Sequence, residues 1–320
     1  MKTLIFAVAA LLCCPREAFS WSAPGHQAIA LAALAMLKGT PAEAKINAIL
    51  GDESVTNAST WLDRVRENGP FAMQAEKDEA TAFGHSFPQN AEWHFCNFSV
   101  GSTNYSFTTQ FAATDDVVHG LGLAISVLEG TPSDMTKLQA LRSVIHLVGD
   151  IHQPLHCITG FYDTNDMKIP VLLTNVLDPK EVAQDRGGNQ LMYTNTENFH
   201  HFWDLVLPSA VARDVHVLAA KLTVASLASE PLTQGHFRDW PQVWAGDSMV
   251  QANAAYDQLK FHDSALVPDP RHHGKLMLQI KIDLPGGEHG YKTNQTQRAE
   301  QQLKEGAVHL AQLLSKIKFQ

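Results

Sequence analysis

The segment from His146 to His156, which reads His-Leu-Val-Gly-Asp-Ile-His-Gln-Pro-Leu-His, constrains the fold of this chain more than any other. Apolar residues three and four positions apart lead into it and predict a helix over Lys137–Asp150. His146 and Asp150 are four residues apart, so a helix places both side chains on one face. Pro154 ends the helix and lets the chain bring His156 back toward that face. The segment therefore predicts a helix that ends in a group of metal-ligand side chains.

A second pair repeats this spacing. His200 and Asp204 are again four residues apart, and Phe199, Phe202 and Trp203 lie around them, as expected of ligands set in an apolar wall. A single pair of this kind is more simply explained as a buried histidine beside an ordinary helix charge. Two such pairs in one chain favour a metal site built from imidazole and carboxylate, a ligand set that zinc accepts.

Three further segments carry candidate ligands. Asp63 precedes Arg66 by one helical turn, and His94 lies among aromatic residues in Trp-His-Phe-Cys-Asn. Taken alone, the first segment is also consistent with a surface ion pair and the second with a structural histidine. Cleavage before Trp21 would create a free α-amine close to His26. The alternative is that this N-terminal segment is a flexible tail that binds no metal. At the level of single segments, both interpretations stay open.

The N-terminus has the pattern of a signal peptide. A basic start precedes the apolar stretch Thr3–Cys14, and the small residues Ala18 and Ser20 lie where a signal peptidase needs them. The apolar stretch is too short for a membrane anchor, which needs about 20 residues. We predict a signal peptide over residues 1–20, a mature domain over residues 21–320, secretion or periplasmic export, and no stable membrane association.

Helical periodicity dominates the mature chain, and sustained alternation of apolar and polar residues is scarce. The predicted helices are His26–Lys38, Asp116–Glu129, Lys137–Asp150, Val211–Leu227 and Arg298–Ile317. Long polar loops are predicted over Asn68–Asn90, Phe161–Gln190 and Ser264–Thr293. Loops of this length are usually functional. Because the chain contains no linker, repeat or charge block, we predict a single all-α domain. Nothing in the sequence indicates an oligomer.

The net charge of −9 excludes one class of nucleic-acid-binding protein. Proteins that coat DNA or RNA carry a basic surface, which this chain lacks. Several divalent cations bound in one pocket can still create a local positive potential on an acidic protein. The charge therefore argues against passive coating and leaves catalysis on nucleic acid open.

Cys96 and Cys157 are the cysteines that remain after removal of the signal peptide. Each lies close in sequence to a predicted histidine ligand. In an exported protein they are consistent with one disulfide or, equally, with two buried thiols.

Taken in order, the motifs of this chain resemble the single-strand-specific zinc nucleases of the S1/P1 type, which share their fold with zinc-dependent phospholipase C. The matching features are Trp at residue 21, W-L-D-x-x-R at 61–66, W-H-F-x-N at 93–97, H-x-x-x-D-I-H-Q-P-L-H at 146–156, D-R-G-G-N at 185–189 and N-F-H-x-x-W-D at 198–204. The resemblance extends from Trp21 almost to the C-terminus. It implies a single helical domain with long loops around a cleft that holds three zinc ions.

The resemblance also implies a ligand for each ion. The implied ligands are Asp63, His94, His146 and Asp150 for the first zinc, Asp150, His26 and Trp21 (through its α-amine and carbonyl) for the second, and His156, His200 and Asp204 for the third. Every ligand type that the family pattern requires is present in this chain. Removal of the signal peptide would then be part of the chemistry, because it creates the amine of Trp21.

The substrate contacts follow from the same resemblance. Arg66 corresponds to an arginine that clamps phosphate, and a guanidinium offers phosphate oxygens a planar fork of donors. The resemblance further implies that Phe95 stacks on a base and that Asn97 and Asn189 contact the substrate. From the residues themselves, we predict that Phe161 and Tyr162, in the loop after His156, supply the opposite face of a base sandwich. Gly188, next to Gly187, allows a close backbone approach to a ligand, and a plain turn is the alternative. Some family members carry aspartate where this chain has Asn97. Base preference is therefore not inherited from them, because an amide donates as well as accepts.

The resemblance, together with these residues, implies an endonuclease that hydrolyses single-stranded DNA and RNA to 5′-phosphate products. As a 3′-nucleotidase, it would also remove the phosphate from 3′-nucleotides. Zinc held by these ligands would activate water for attack on phosphorus, and Asp63 would orient that water. Phospholipase C is the alternative with the same metal cage, although Arg66, Phe95 and the D-R-G-G-N loop favour the nuclease. A non-catalytic secreted metal-binding protein is the second alternative, and it leaves Arg66 unexplained.

Overall fold

The computed structural model describes residues 21–174, 176, 178–180, 182–226, 232–269 and 274–320. The predicted signal peptide, residues 1–20, lies outside the described residues, as do Leu227 at the end of one predicted helix and parts of two predicted loops. The helices are α1 (Ala23–Met36), α2 (Pro41–Leu50), α3 (Val55–Ala58), α4 (Trp61–Arg66), α5 (Gln74–Ser86), α6 (Val117–Leu128), α7 (Lys137–Ile151), α8 (Phe199–His201), α9 (Leu207–Val211), α10 (Val215–Ser226), α11 (Trp240–Tyr256) and α12 (Gly287–Lys316). The strands are β1 (Phe98–Ser99), β2 (Ile158–Thr159), β3 (Phe161–Asp163), β4 (Val171–Leu172), β5 (Ala183–Gln184), β6 (Leu191–Met192), β7 (Lys260–Pro268) and β8 (Leu276–Asp283). Short 3₁₀ turns span Asn90–His94, Pro154–His156 and Phe237–Asp239, and a π-helical turn spans Phe202–Val206.

The predicted mainly helical fold is confirmed, and all the predicted helices form with shifted ends. Helix α7 begins at a capping box, in which the Thr136 hydroxyl accepts from the Gln139 backbone and the Gln139 side chain accepts from the Thr136 backbone. Helix α12 begins at Gly287 rather than at Arg298. The first turns of this helix are polar, so apolar periodicity did not predict them.

The predicted loops are wrong in part. Residues 68–90 contain helix α5, whose described side chains include only Ala80 and Phe83 as buried residues, so its apolar stripe was too narrow to detect. Residues 264–293 contain most of an antiparallel hairpin, β7 paired with β8. Strand β8 buries Leu278, Ile280 and Ile282 on one face, which is the alternation that a half-buried strand requires. The region 161–190 contains the short strands β3, β4 and β5.

Helix α7 lies at the centre of the fold. It packs against α6, α12, α4 and α1, and nearly every residue from Gln139 to Ile151 is buried. A helix that is buried on all sides must provide partners for each of its polar side chains. Arg142 finds them in Glu53, at 2.8 Å, and Glu79, at 3.0 Å. The other buried charged groups of α7, His146 and Asp150, face the site described below.

A short parallel strand pair aligns two segments that each follow a predicted ligand. Strand β1 pairs with β2 so that Phe98 lies opposite Ile158 and Ser99 opposite Thr159. The Cys96 backbone N–H donates to the carbonyl of His156 at 2.8 Å, two residues before this pair on each segment. These bonds hold the segments that carry His94 and His156 side by side. Across the part of the chain that the structure describes, we find no helix of the length and apolar character needed to span a bilayer.

Candidate metal centre

The predicted imidazole and carboxylate ligands converge on one buried cluster. They come from α1, α4, α7, α8, two 3₁₀ turns and the π-helical turn after α8, and each is at most 6% exposed. Within the described residues, the side chains form three groups of possible ligands. In each group, the ligand atoms all lie within 4.8 Å of one another. These groups are His26, Asp63 and His146; His94, His146 and Asp150; and His156, His200 and Asp204. The fold thus brings together side chains that are far apart in sequence.

The first part of the cluster surrounds the Nε2 atom of His146. This atom lies 3.1 Å from Asp150 Oδ2 and 3.1 Å from His94 Nδ1. Asp63 Oδ1 lies 3.6 Å from the same atom and 3.7 Å from His94 Nδ1. The Nδ1 atom of His146 donates to the carbonyl of Ser59 at 2.7 Å, which directs Nε2 into the cluster. Four ligand atoms therefore meet at one place.

The second carboxylate oxygen of Asp150 faces a different set of histidines. Asp150 Oδ1 lies 3.5 Å from His26 Nε2 and 3.5 Å from His156 Nδ1. The His26 ring stacks on that of His146, with 4.1 Å between ring centroids. Gly149 makes room for this arrangement, because a Cβ atom there would lie 2.5 Å from His26 Nδ1. Asp150 therefore has the orientation of a carboxylate that bridges two ligand groups.

The third group lies around His156, His200 and Asp204. The two Nε2 atoms of the histidines lie 3.2 Å apart, and His200 Nε2 lies 3.4 Å from Asp204 Oδ2. Each histidine uses Nδ1 to donate to a carbonyl at 2.6 Å, His156 to that of His94 and His200 to that of Gly187. When both imidazoles are neutral, each has one N–H, which its carbonyl partner takes, so the two Nε2 atoms present lone pairs to each other. A cation between them removes that repulsion.

The donor set fits zinc. Asp150 Oδ1 and Asp204 Oδ2 are buried, and neither accepts a hydrogen bond from a described residue. Burying a carboxylate oxygen without a partner costs several kcal/mol, unless a cation compensates for the lost hydration. Nitrogen and oxygen ligands directed by hydrogen bonds from their distal atoms are what zinc sites in proteins use.

The pKa values of the cluster reflect burial and mutual interaction. Burial lowers the pKa of His94 and of His156 to about 4, which keeps both imidazoles neutral and their lone pairs available. Burial also opposes a charge on His146, but the carboxylates of Asp150 and Asp63 outweigh it and raise its pKa to about 10. Burial raises the pKa of Asp204 well above its ordinary range. A metal ion must therefore displace protons when it binds here.

Arg66 lies at the edge of this cluster. Its Nη2 atom is 2.9 Å from Asp63 Oδ1 and 3.3 Å from Glu67 Oε1, and its side chain is 18% exposed. Asp63 therefore faces the histidine cluster and the guanidinium at once. A ligand that contacted both a metal ion in the cluster and the Arg66 guanidinium would interact with two positive charges.

Trp21 directly precedes a residue that contacts the segment of Asp204. Its side chain is fully buried, and the backbone N–H of Ser22 donates to the carbonyl of Asp204 at 3.0 Å. Gly25 permits this approach, because a Cβ atom there would lie 2.8 Å from the Trp21 Cβ atom. The start of the predicted mature chain is thus part of the packed core next to the ligands.

The implied base contacts divide into two sets. Phe95 and Asn97 are half-buried next to His94. Phe161 and Tyr162, in contrast, are 1% and 2% exposed, and the Tyr162 hydroxyl donates to Asp185 at 2.8 Å. In this structure neither ring offers a face to a base, which corrects the expectation that they form one side of a sandwich. On strand β3, Phe161 packs against Phe111 and Tyr162 against Phe261.

Asp185, which the sequence reasoning did not single out, organises the D-R-G-G-N loop. Its buried carboxylate accepts hydrogen bonds from the Tyr162 and Tyr256 hydroxyls and from the Gly188 backbone N–H at 2.8, 3.0 and 3.0 Å. Gly187 has a φ of 64°, and a Cβ atom there would lie 2.4 Å from the carbonyl of Leu155. This packing presents the Gly187 carbonyl to His200. The paired glycines thus approach the protein's own backbone.

Asn189 and Gly188 are therefore part of a tightly packed turn. The Asn189 side chain donates to the carbonyl of Arg186 at 2.8 Å, and Gly188, with a φ of 82°, lies against Phe199. The cysteines are two buried thiols with no bridge between them, the second of the alternatives left open above. Cys157 directs its thiol to the carbonyl of Ile151 at 3.5 Å, and burial raises the pKa of the Cys96 thiol.

Comparisons with known proteins agree with this geometry. The model of the family described as S1/P1 Nuclease matches residues 21–318. Nuclease S1 of Aspergillus oryzae is 25% identical over 257 residues, which cover 76% of this chain and 74% of that protein. Endonuclease 2 of Arabidopsis thaliana is 24% identical over 223 residues, which cover 67% of this chain and 65% of that protein.

Proposed function

The chain belongs to the S1/P1 nuclease family, and on this basis we propose that it is a zinc-dependent endonuclease acting on single-stranded DNA and RNA. The products are 5′-phosphates, and nucleotides with a 3′-phosphate are further substrates. The observation that carries the proposal is the position of Asp63. Its Oδ1 atom lies 2.9 Å from Arg66 Nη2 and 3.6 Å from His146 Nε2, so it connects the ligand cluster with a phosphate-binding cation.

We propose three zinc ions, held as the family resemblance implies. The proposed ligands are Asp63, His94, His146 and Asp150; Asp150, His26 and Trp21; and His156, His200 and Asp204. When bound, zinc supplies Lewis-acid activation of water and of the phosphate ester. The close-set group of His94, His146 and Asp150 supports the first ion, and that of His156, His200 and Asp204 supports the third. Asp63 joins the first set through its Oδ1 atom, 3.6 Å from His146 Nε2. Asp150 supports the second, because its other carboxylate oxygen lies 3.5 Å from His26 Nε2.

Residues of the chain orient the water, bind the phosphate and stack on a base. Asp63 orients the attacking water, and Arg66 binds the non-bridging phosphate oxygens as negative charge builds up on them. Phe95 stacks on an unpaired base, and such stacking is worth roughly 1–3 kcal/mol per base. A paired base in a duplex is not free to stack in this way. The proposal therefore favours single strands.

We propose that the mature protein begins at Trp21, after cleavage of residues 1–20, and that it is exported. The family match begins at residue 21, Trp21 is buried, and the next residue, Ser22, donates to the carbonyl of Asp204, all of which support a functional N-terminus at this position. Cleavage supplies the α-amine that the second zinc requires. N-terminal sequencing of protein secreted by an expression host tests this assignment.

Hydrolysis assays test the proposed activity. Purified protein is incubated with single-stranded RNA, single-stranded DNA, duplex DNA, 3′-AMP and phosphatidylcholine, before and after chelation and with zinc restored. We expect cleavage of the single strands and of 3′-AMP, slow cleavage of the duplex, none of the lipid, and full dependence on zinc. Preferential cleavage of the lipid would support phospholipase C, and activity that survives complete chelation would overturn the proposal.

A further inference from the structure

Gln153 occupies a fully buried position between two segments that carry predicted ligands. It follows the end of α7 and precedes the 3₁₀ turn Pro154–His156. Its backbone N–H donates to the carbonyl of Asp150 at 2.9 Å, and its carbonyl accepts from the backbone N–H of His156 at 2.9 Å. The backbone of Gln153 therefore has little freedom to move relative to either ligand.

The Gln153 side chain makes two hydrogen bonds that fix the orientation of its amide. Its Oε1 atom accepts from the Leu155 backbone N–H at 2.7 Å, and its Nε2 atom donates to Asp204 Oδ1 at 2.7 Å. The Leu155 backbone N–H can only donate, so it fixes Oε1 as its acceptor and leaves the Nε2 donor for Asp204. One arm caps the turn that carries His156, and the other holds the carboxylate of Asp204.

This contact determines which oxygen of Asp204 faces the third ligand group. Oδ1 is occupied by Gln153, while Oδ2 accepts no hydrogen bond from a described residue and lies 3.4 Å from His200 Nε2. Asp204 lies on the π-helical turn Phe202–Val206, where side chains depart from α-helical spacing. A side-chain contact is therefore needed to define the direction of its carboxylate.

We propose that Gln153 is a positioning residue for the third zinc, acting on Asp204 through one end of its amide and on the His156 turn through the other. The inference rests on the proposed zinc-dependent function. Residues that hold metal ligands in this way typically contribute 10–100-fold to metal affinity.

The variant Gln153→Glu removes the hydrogen bond to Asp204 and keeps the one from Leu155. Glutamate has nearly the same shape and still accepts from Leu155, but it has no donor for Asp204 and places a second carboxylate against it. We expect the affinity for one zinc of the three to fall about 10–100-fold. Gln153→Met removes both arms without adding a charge, and we expect it to weaken the same ion.

Gln139 provides a matched control at the opposite end of the same helix. It is 6% exposed, its Nε2 atom donates to Glu79 Oε1 at 3.0 Å, and its Oε1 atom accepts from the Thr136 backbone N–H at 3.0 Å. Gln139→Glu and Gln139→Met therefore make the same chemical changes between a carboxylate and a backbone N–H, away from the ligands. We expect these controls to keep all zinc affinities within about twofold of the parent protein.

The experiment measures zinc per chain by elemental analysis after equilibrium dialysis against buffers of defined free zinc. It is combined with thermal unfolding at saturating zinc, using the full mature chain. The proposal is supported if the Gln153 variants lose one zinc at low free zinc, regain it at higher free zinc, and recover activity with it. It is overturned if the Gln153 variants keep the third zinc at parental affinity. It is also overturned if the Gln139 controls lose all their zinc together with the Gln153 variants. A parent protein that binds no zinc would instead overturn the proposed function.

Discussion

Substitution of Gly149 by alanine tests whether the close packing of the cluster matters for function. Gly149 lies inside α7, one residue before Asp150, and a Cβ atom there would lie 2.5 Å from His26 Nδ1 and 2.8 Å from His26 Cε1. An ordinary contact is close to 3.5 Å, so the imidazole must move by roughly 1 Å. His26 is a proposed ligand of the second zinc. A displacement of that size is expected to cost about 100-fold in kcat/KM.

The effect of Gly149→Ala on stability is expected to be much smaller. Alanine in a helix interior is favoured over glycine by about 1 kcal/mol. Overpacking in a dense core typically costs about 1–3 kcal/mol. The two effects oppose each other, and a net loss of about 0–2 kcal/mol in the free energy of unfolding follows. Activity and stability should therefore respond very differently to the same methyl group.

Gly122→Ala is the matched control. Gly122 lies inside α6, and a Cβ atom there meets nothing within 4 Å, so the substitution adds helix propensity without a clash. We expect a gain of up to about 1 kcal/mol in stability and unchanged hydrolysis of single-stranded DNA. The assay compares kcat/KM, zinc content and thermal unfolding for both variants. Full activity and full zinc content in Gly149→Ala would refute the assignment of His26 as a ligand held by this packing.

Three other predictions follow from the same geometry. Asp63→Asn should lower kcat about 100–1,000-fold with a much smaller change in the thermal midpoint, and equal losses of activity and stability would indicate a structural role instead. One additional residue before Trp21 should weaken zinc binding and hydrolysis, and an extended form as active as the parent would show that the amine is not a ligand. The free energy of unfolding should fall as pH drops from about 6.5 toward 4, because burial lowers the pKa of His309, and that of His152 to about 4, so the unfolded chain binds more protons in this range. Chemical denaturation between pH 7 and pH 4.5 measures this, and a flat curve would contradict it.

The ligand segments could be predicted because they obey local rules. His146 with Asp150, and His200 with Asp204, are four residues apart, and helical periodicity alone indicates that each pair shares a face. The structure keeps both pairs together, although Asp204 lies on a π-helical turn that the periodicity did not predict. The order of the short motifs carried the remaining information about the fold and the metal centre.

Other features depend on contacts between distant parts of the chain. Asp185 receives hydrogen bonds from Tyr162 and Tyr256, and no sequence spacing relates these three residues. The sequence predicts Phe161 and Tyr162 at the substrate because they lie in the loop that follows the ligand His156. Strand pairing buries them instead. Polar helices such as α5 could not be predicted for a related reason. Their positions depend on tertiary packing more than on a wide apolar stripe.

The acidic net charge of −9 is consistent with the proposed function once the cluster is considered. Buried carboxylates such as Asp63, Asp150 and Asp204 contribute negative charge that bound cations compensate locally. Arg66 adds a positive charge at the edge of the same site. Attraction for a phosphodiester then arises in the pocket, while the rest of the surface does not need to be basic.

The most direct test of the central claim is a crystal structure of the mature protein, with an anomalous difference map recorded at the zinc absorption edge. The account predicts three peaks: one among Asp63, His94, His146 and Asp150, one beside His26 and the Trp21 amine, and one among His156, His200 and Asp204. Peaks elsewhere on the surface, or no peak within this cluster in zinc-saturated active protein, would contradict it.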